Sequence, residues 1–339
     1  MTEEKINLSS SELASLWTSY MQNTMSVQFL SYLQATVEDK AISQLVQTAC
    51  QISEDHITKV KSVFEQEKIP IPKGFTAADV NRDAPKVYTD IFMLTYIHHM
   101  AKAGMLSYSG FLALSARKDI RKLYNKTLFV TADLYEQSSE LQLNKGVFVR
   151  SPVIPYPKEI DMVDDKSYFK GLNPFAEKRA LNAVEISHLH LNFFNNVVGL
   201  KLATSFAQMS PRKEVQKISL QGKDISEKHV KVFADKLISN NLQAPIDGDV
   251  SITNSTAEVF SDKLILFQLG MLTAAGSGNY ATGAAASQRH DLILDYERLS
   301  IEVGQYAKDI ANLMIELGYL EQPPGTMDKE KLAKSKEKQ

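Results

Sequence analysis

The chain is poor in cysteine: its 339 residues include one, Cys50. A single thiol excludes an internal disulfide and any cysteine-based zinc site. Cys50 flanks an apolar helix face, which leads us to expect a buried, inert thiol. Charge of either sign is not in excess: the formal net charge is -2. That balance gives no electrostatic basis for nucleic-acid binding, whose proteins carry a basic face. Long apolar runs are absent too. The best candidate, IFMLTYIHHMAKAGML at 91–106, is broken by two histidines and a lysine, so no membrane span is expected. The opening MTEEKINLSSSEL is polar and acidic, unlike a secretory signal. A soluble, cytoplasmic protein follows as the expectation. Phosphate-binding motifs are also missing. The glycine-rich stretch GMLTAAGSGNYATGAAAS, 270–287, follows no strand and fits neither the Walker spacing nor the dinucleotide fingerprint.

What the sequence does contain is a duplication. ISEDH at 52–56 returns as ISEKH at 225–229. A shift of 173 residues aligns about 12–72 with the second half without a gap. Glu12 meets Glu185, Leu16 meets Leu189, Asn23 meets Asn196, and Pro72 meets Pro245. Beyond that loop the shift is 172. Gly104 then meets Gly276, Tyr108 meets Tyr280, Arg117 and Asp119 meet Arg289 and Asp291, and Gly146 meets Gly318. The period far exceeds the 20–50 residues of solenoid repeats. Each copy is therefore read as a domain, and the molecule as a covalent pseudo-dimer whose copies pack on each other.

Within a copy the apolar residues recur at spacings of three and four, the helical period. Helix A (about 9–35) carries Leu13, Leu16, Trp17, Tyr20, Thr24, Val27 and Leu30. Helix B (about 40–68) carries Ile42, Leu45, Ala49, Ile52, His56, Val60 and Phe64, and stops before IPIP, because a residue preceding proline avoids the helical region. Helix C (about 85–115) has Pro85 near its first turn and the stripe Val87, Ile91, Leu94, His98, Ala101, Met105, Tyr108 and Leu112. Helix D (about 119–144) ends at Asn144-Lys145-Gly146, a cap signal. Short A–B and C–D turns predict two antiparallel hairpins. The B–C connection, IPIPKGFTAADVNRDA at 69–84, is different. Sixteen extended residues reach about 55 Å, against about 38 Å for a 25-residue helix. One long crossover between two hairpins is the ferritin-like topology. The expected architecture is all-α: two tandem ferritin-like four-helix bundles with long B–C crossovers. The bounds are 1–150 for copy one, 151–175 for an extended linker, 176–324 for copy two, and 325–339 for a lysine-rich disordered tail.

The tandem four-helix copies, the proline-bearing crossovers and the repeated Ser53-Glu54-Asp55-His56 and Ser226-Glu227-Lys228-His229 resemble domain-of-unknown-function family 3231. This is a ferritin-like family of endospore-forming bacteria whose members often bear a spore coat label. The resemblance covers both halves. It implies a forespore or spore coat location and coat-protein or homo-oligomeric partners. It supplies no reaction and no catalytic residues.

A ferritin-like di-iron site takes a Glu from each of two helices and Glu-x-x-His from the other two. Here serine, Ser53 or Ser226, stands where that glutamate is needed. Helix D lacks the motif in both copies. Asp133-x-x-Glu136 has the spacing but lies off the helix D stripe, and copy two has Gln305 and Lys308 there. What remains is a polar belt. Counting from the turns places Asn23, His56 and His98 at similar depth with Thr131; copy two keeps Asn196 and His229 but has Gly270 for His98. Two readings stand. The belt is a hydrogen-bonded core layer that fixes helix register, or it holds a single transition metal in copy one on His56 and His98 with Asn23, and with His229 as the counterpart in copy two. Two imidazoles without a carboxylate suit zinc, copper or nickel better than iron. Glu185-x-x-His188 with His190 is read as a solvated first turn. Gly276 and Gly278 predict a close approach of the second helix C to a neighbour, to offset the roughly 1 kcal/mol that each helical glycine costs. The functional expectation is a non-enzymatic structural or interaction protein. The alternative is a metal- or small-ligand-binding protein, and a ferritin-like oxidase or iron store comes last.

Overall fold

The structure, a computed structural model, describes residues 6–172, 178–245 and 251–329. Among these residues there are eight α-helices and no strand. They are α1 (Ser10–Thr36), α2 (Lys40–Gln66), α3 (Asp90–Ala113), α4 (Lys118–Asn144), α5 (Ala183–Met209), α6 (Lys213–Ile238), α7 (Asp262–Ala286) and α8 (His290–Glu316). Residues 330–339 of the lysine-rich tail lie outside the described residues, as do 246–250 of the second crossover.

The helix ends follow local chemistry. Ser9 caps α1 in a capping box with Glu12, and Asn182 caps α5 with Glu185, which satisfies backbone donors that the first turn leaves open. Gly146 and Gly318, equivalent in the duplication, take φ of 69° and 68° just past α4 and α8; glycine adopts that left-handed conformation without penalty. The third helix starts later than its proline suggests. Residues 85–89 belong to the crossover, and the Thr89 hydroxyl caps α3.

Contacts fix the helix directions. α1 meets α2 through Gln34 with Ser43 and Tyr20 with Phe64. It meets α3 through Asn23 with Tyr108 and Phe29 with Tyr96. It is therefore antiparallel to both, and parallel to α4, which it touches through Ser19 with Tyr124 and Glu12 with the Arg117 amide. The order is up, down, down, up. Only a connection running the length of the bundle permits it, and residues 67–89 provide that connection.

The two crossovers also join the copies. Val80 bridges Phe260 and Tyr88 bridges Ile252, both antiparallel. The 172-residue shift carries Val80 onto Ile252 and Tyr88 onto Phe260. One contact is thus made twice about a pseudo-two-fold axis, as an isologous interface requires. Phe29 stacks on Tyr96 at 4.4 Å and on Phe260 at 4.6 Å, and the Tyr88 hydroxyl meets the Ser205 hydroxyl at 2.7 Å. The largest apolar cluster runs from α1, α2 and α3 into α5, α7 and α8. Each fully buried aromatic there contributes roughly 1.5–3 kcal/mol. This shared core explains why Phe29, Tyr32, Met93 and Ile97 are buried although they lie off the single stripes read from the sequence.

Gly276 and Gly278 do not pack closely: a Cβ on either would meet nothing within 4 Å. The close approaches are elsewhere. A Cβ at Gly283 would lie 2.7 Å from the Tyr296 ring, and one at Gly222 would run into the Tyr306 hydroxyl.

Candidate site in the bundle interiors

Each copy carries one buried polar layer at the depth of its helix B histidine. In copy two the layer is a closed chain. Asn196 Nδ2 donates to the Tyr280 hydroxyl at 2.7 Å. That hydroxyl lies 2.8 Å from His229 Nδ1, and His229 Nε2 lies 3.0 Å from a Glu302 carboxylate oxygen. Lys228 donates to both Glu302 oxygens at 2.9 Å. One proton assignment satisfies every member: the tyrosine hydroxyl donates to Nδ1, and Nε2–H donates to the carboxylate. Burial holds the His229 pKa below its ordinary value, and Glu302 pulls it back in part. Burial raises the Glu302 carboxyl, but its bonds from His229 and Lys228 outweigh that and leave it below the usual carboxylate range.

Copy one builds the same layer and leaves it open. Asn23 Nδ2 lies 2.9 Å from the Tyr108 hydroxyl. The His56 ring packs against Tyr108 and Tyr124 at centroid distances of 5.3 and 6.0 Å. Its Nδ1 meets the Thr127 hydroxyl at 3.1 Å. Its Nε2 is buried without a partner. In the duplication frame, Val130 occupies the place of Glu302. Burial, with the charge of Lys59, pushes the His56 pKa down to about 3, so the ring is neutral. Beside it runs a groove of about 480 Å³ between α2 and α4, lined by Ile52, Asp55, His56, Lys59, Lys126, Thr127 and Val130 among others.

His98 does not join this layer. It is half-buried, with Nδ1 3.2 Å from the Ser138 hydroxyl and its ring 4.5 Å from that of Tyr135. Because α3 runs parallel to α2, the residue level with His56 is Tyr108. His98 lies ten residues back along α3, about 15 Å at 1.5 Å per residue. The structure therefore brings Asn23 and His56 together through Tyr108 and does not bring His56 and His98 together. His229 occupies the equivalent layer with both nitrogens engaged. Among the described residues, no group of three or more His, Cys, Asp or Glu is arranged to hold a metal ion.

The turn of Glu185, His188 and His190 is not the solvated first turn that the sequence suggested: Glu185 is buried, and His188 Nδ1 is enclosed without a partner. The Glu185 carboxylate, 1% exposed, accepts from Arg179 and from the Gln288 and Arg289 amides. Glu12 does the same for the Ala116 and Arg117 amides. Both carboxylates thus clamp the turn before the last helix of their copy. Arg117 pairs with Asp119 and Glu67, and Arg289 with Asp291. Cys50 is half-buried, and burial with the nearby Glu54 raises its thiol to about 11. The sequence reading missed the roles of Tyr108, Tyr280 and Glu302. The tyrosines coincide in the duplication frame. Glu302 is legible only as the carboxylate facing Val130 across that frame.

A family model described as "Protein of unknown function (DUF3231)" matches residues 1–160 and 169–332. No curated protein matches the chain. A solved structure from Bacillus halodurans C-125, titled a "putative spore coat protein", is similar at 18% identity. The similarity covers 46% of this chain and 98% of that one, with a TM-score of 0.38.

Proposed function

Because the chain belongs to DUF3231, a family of proteins of unknown function matched over both halves, we propose that it is a non-enzymatic structural or interaction protein whose polar layers lock helix register. The observation that carries this reading is the Asn196–Tyr280–His229–Glu302 chain. It spans all four helices of its copy and spends each group on a neighbour. A slip of one helix would leave buried groups unpaired at about 1–3 kcal/mol each. The up, down, down, up order supports a ferritin-like bundle, and Ser53 and Ser226 stand where such a bundle would place iron-binding glutamates. Association with the forespore or spore coat follows from the sequence resemblance. It is tested by fractionating spores of a host carrying a tagged copy: signal in the coat extract supports it, and signal confined to the soluble mother-cell fraction opposes it. Elemental analysis of untagged protein after incubation with iron, zinc and manganese tests the non-enzymatic reading. Stoichiometric iron would overturn it.

A second reading, binding of a small ligand or a single transition metal in copy one, is favoured by the partnerless Nε2 of His56 beside a groove. The Thr127 hydroxyl has one proton and two acceptors within reach, the Leu123 carbonyl at 3.0 Å and His56 Nδ1 at 3.1 Å. Donated to Nδ1, it leaves Nε2–H seeking an acceptor. Donated to Leu123, it leaves a lone pair at Nε2 that suits a metal.

A further inference from the structure

We propose that the groove between α2 and α4 binds a small aliphatic monocarboxylate, whose carboxylate takes the place that the Glu302 side chain fills in copy two. This rests on the ligand-binding reading of the His56 layer and names its ligand class.

The first argument is the difference between the copies. The same imidazole on the same helix meets a carboxylate in copy two, at 3.0 Å from Nε2. In copy one the residue at that place is Val130, which lines the groove, and Nε2 has no partner. His56 is 1% exposed, so it forms the floor of the groove. A buried N–H that lacks an acceptor is costly, and an arriving carboxylate removes that cost.

Charge is the second argument. Lys59 and Lys126 line the groove. Neither has an ion-pair partner among the described residues. The one acidic residue in the lining, Asp55, accepts a bond from Gln51 at 3.0 Å. Two lysines against one engaged carboxylate favour an anion over a metal cation. In copy two Lys228 donates to both oxygens of Glu302; the duplication frame puts Asp55 at its position in copy one and sets Lys126 opposite Arg298, so the cationic groups of the groove come from Lys59 and Lys126.

The apolar part of the lining sets the rest of the molecule. Ile52 and Val130 offer a surface for an aliphatic stem. The volume of about 480 Å³ falls within the range of small-molecule sites. The carboxylate then accepts from His56 Nε2–H and from the lysines, with the Thr127 hydroxyl donating to Nδ1 and fixing that tautomer.

The test uses the full chain with ¹⁵N-labelled histidine. His56 ring signals are assigned with a His56→Gln variant, and butyrate, butyramide and zinc are titrated separately. Saturable shifts of the His56 signals with butyrate are expected, at least tenfold weaker with butyramide. Val130→Glu, which builds the carboxylate of copy two into copy one, is expected to weaken butyrate binding at least tenfold while keeping the wild-type helical signal and melting temperature or better. Should that variant fold poorly, a Lys59→Gln/Lys126→Gln double variant serves, with the same loss of affinity expected. Unchanged butyrate affinity in a folded Val130→Glu or double-lysine variant would overturn the proposal. Shifts with zinc alone would overturn the carboxylate assignment and leave the ligand-binding reading standing. No shift with any of the three would sink both.

Discussion

The helix B histidine is surrounded differently in the two copies. His229 is held at both nitrogens, by Tyr280 and Glu302. His56 is held at one, by Thr127, and its other nitrogen faces no partner. The supporting frame is shared: the Asn–Tyr pair recurs as Asn23 with Tyr108 and Asn196 with Tyr280. Three exchanges separate the closed layer from the open one: Val130 against Glu302, Asp55 against Lys228, and Thr127 against Leu299. The duplicated fold thus holds a closed polar layer in one copy and a groove at the same depth in the other.

The comparison can be broken hardest at what the copies have in common. Glu185 and Glu12 clamp equivalent turns, but Glu185 also pairs with Arg179 at 2.7 Å. Glu185→Ala is expected to destabilise by about 3 kcal/mol, because it strands backbone donors and a partly buried guanidinium; Glu12→Ala should cost about 2 kcal/mol by the same reasoning. Chemical denaturation checks both, and an equal or reversed order would refute the asymmetry. Both carboxyls sit below their ordinary value. Burial raises each, and bonds from Arg117 and Ser9, or from Arg179 and Asn182, more than offset it. Their stabilisation is present above the unfolded carboxylate pKa of about 4.3 and is lost as pH falls below it.

Exchanging one of the differing residues comes next. Glu302→Val should cost about 2 kcal/mol by leaving His229 Nε2 unpaired, and Val130→Glu should stabilise copy one by about 1 kcal/mol through the new pair. Thermal melts of both variants decide this, and shifts of the same sign would break the correspondence between the two positions.

pH separates the copies more gently. His56 has a folded pKa of about 3, so the unfolded chain, with its histidine near 6.5, binds more protons between those values. Stability from this residue is complete above about pH 6.5 and falls as pH drops toward 3. His56→Gln should therefore reduce the loss measured between pH 6 and pH 5 by about 1 kcal/mol. His229→Gln should reduce it less, because Glu302 opposes the downward shift. A larger effect at His229 would count against the open layer in copy one.

The smallest effect concerns the glycines. Gly276→Ala and Gly278→Ala should each stabilise by about 0.5–1 kcal/mol, the helix-propensity difference, since their surroundings are open. Gly283→Ala should destabilise, with Tyr296 in the way. A loss of stability at 276 or 278 would restore the close packing that the sequence suggested.

Much of the fold was legible because it is written in local terms. Ser9, Asn182, Gly146 and Gly318 mark helix ends through the needs of orphan backbone groups. The spacing of apolar residues marks the helices, and a connection too long for a simple turn marks the crossover. The layer was only half legible. Asn23 and His56 were placed in it, but His98 was put there instead of Tyr108. Counting depth from turns ignores that the crossover sends α3 in the same direction as α2, which moves the level residue ten positions along the helix.

The sequence alone determined the duplication, the number of helices and their caps, because each depends on residues close in the chain or on repetition that alignment reveals. Tertiary structure alone decided which side chains meet. Whether His229 finds Glu302 and His56 finds nothing depends on the rotation and direction of helices separated by about 70 residues. It also decided that the crossovers pair across a pseudo-two-fold axis, since a contact between copies leaves no periodicity in either one.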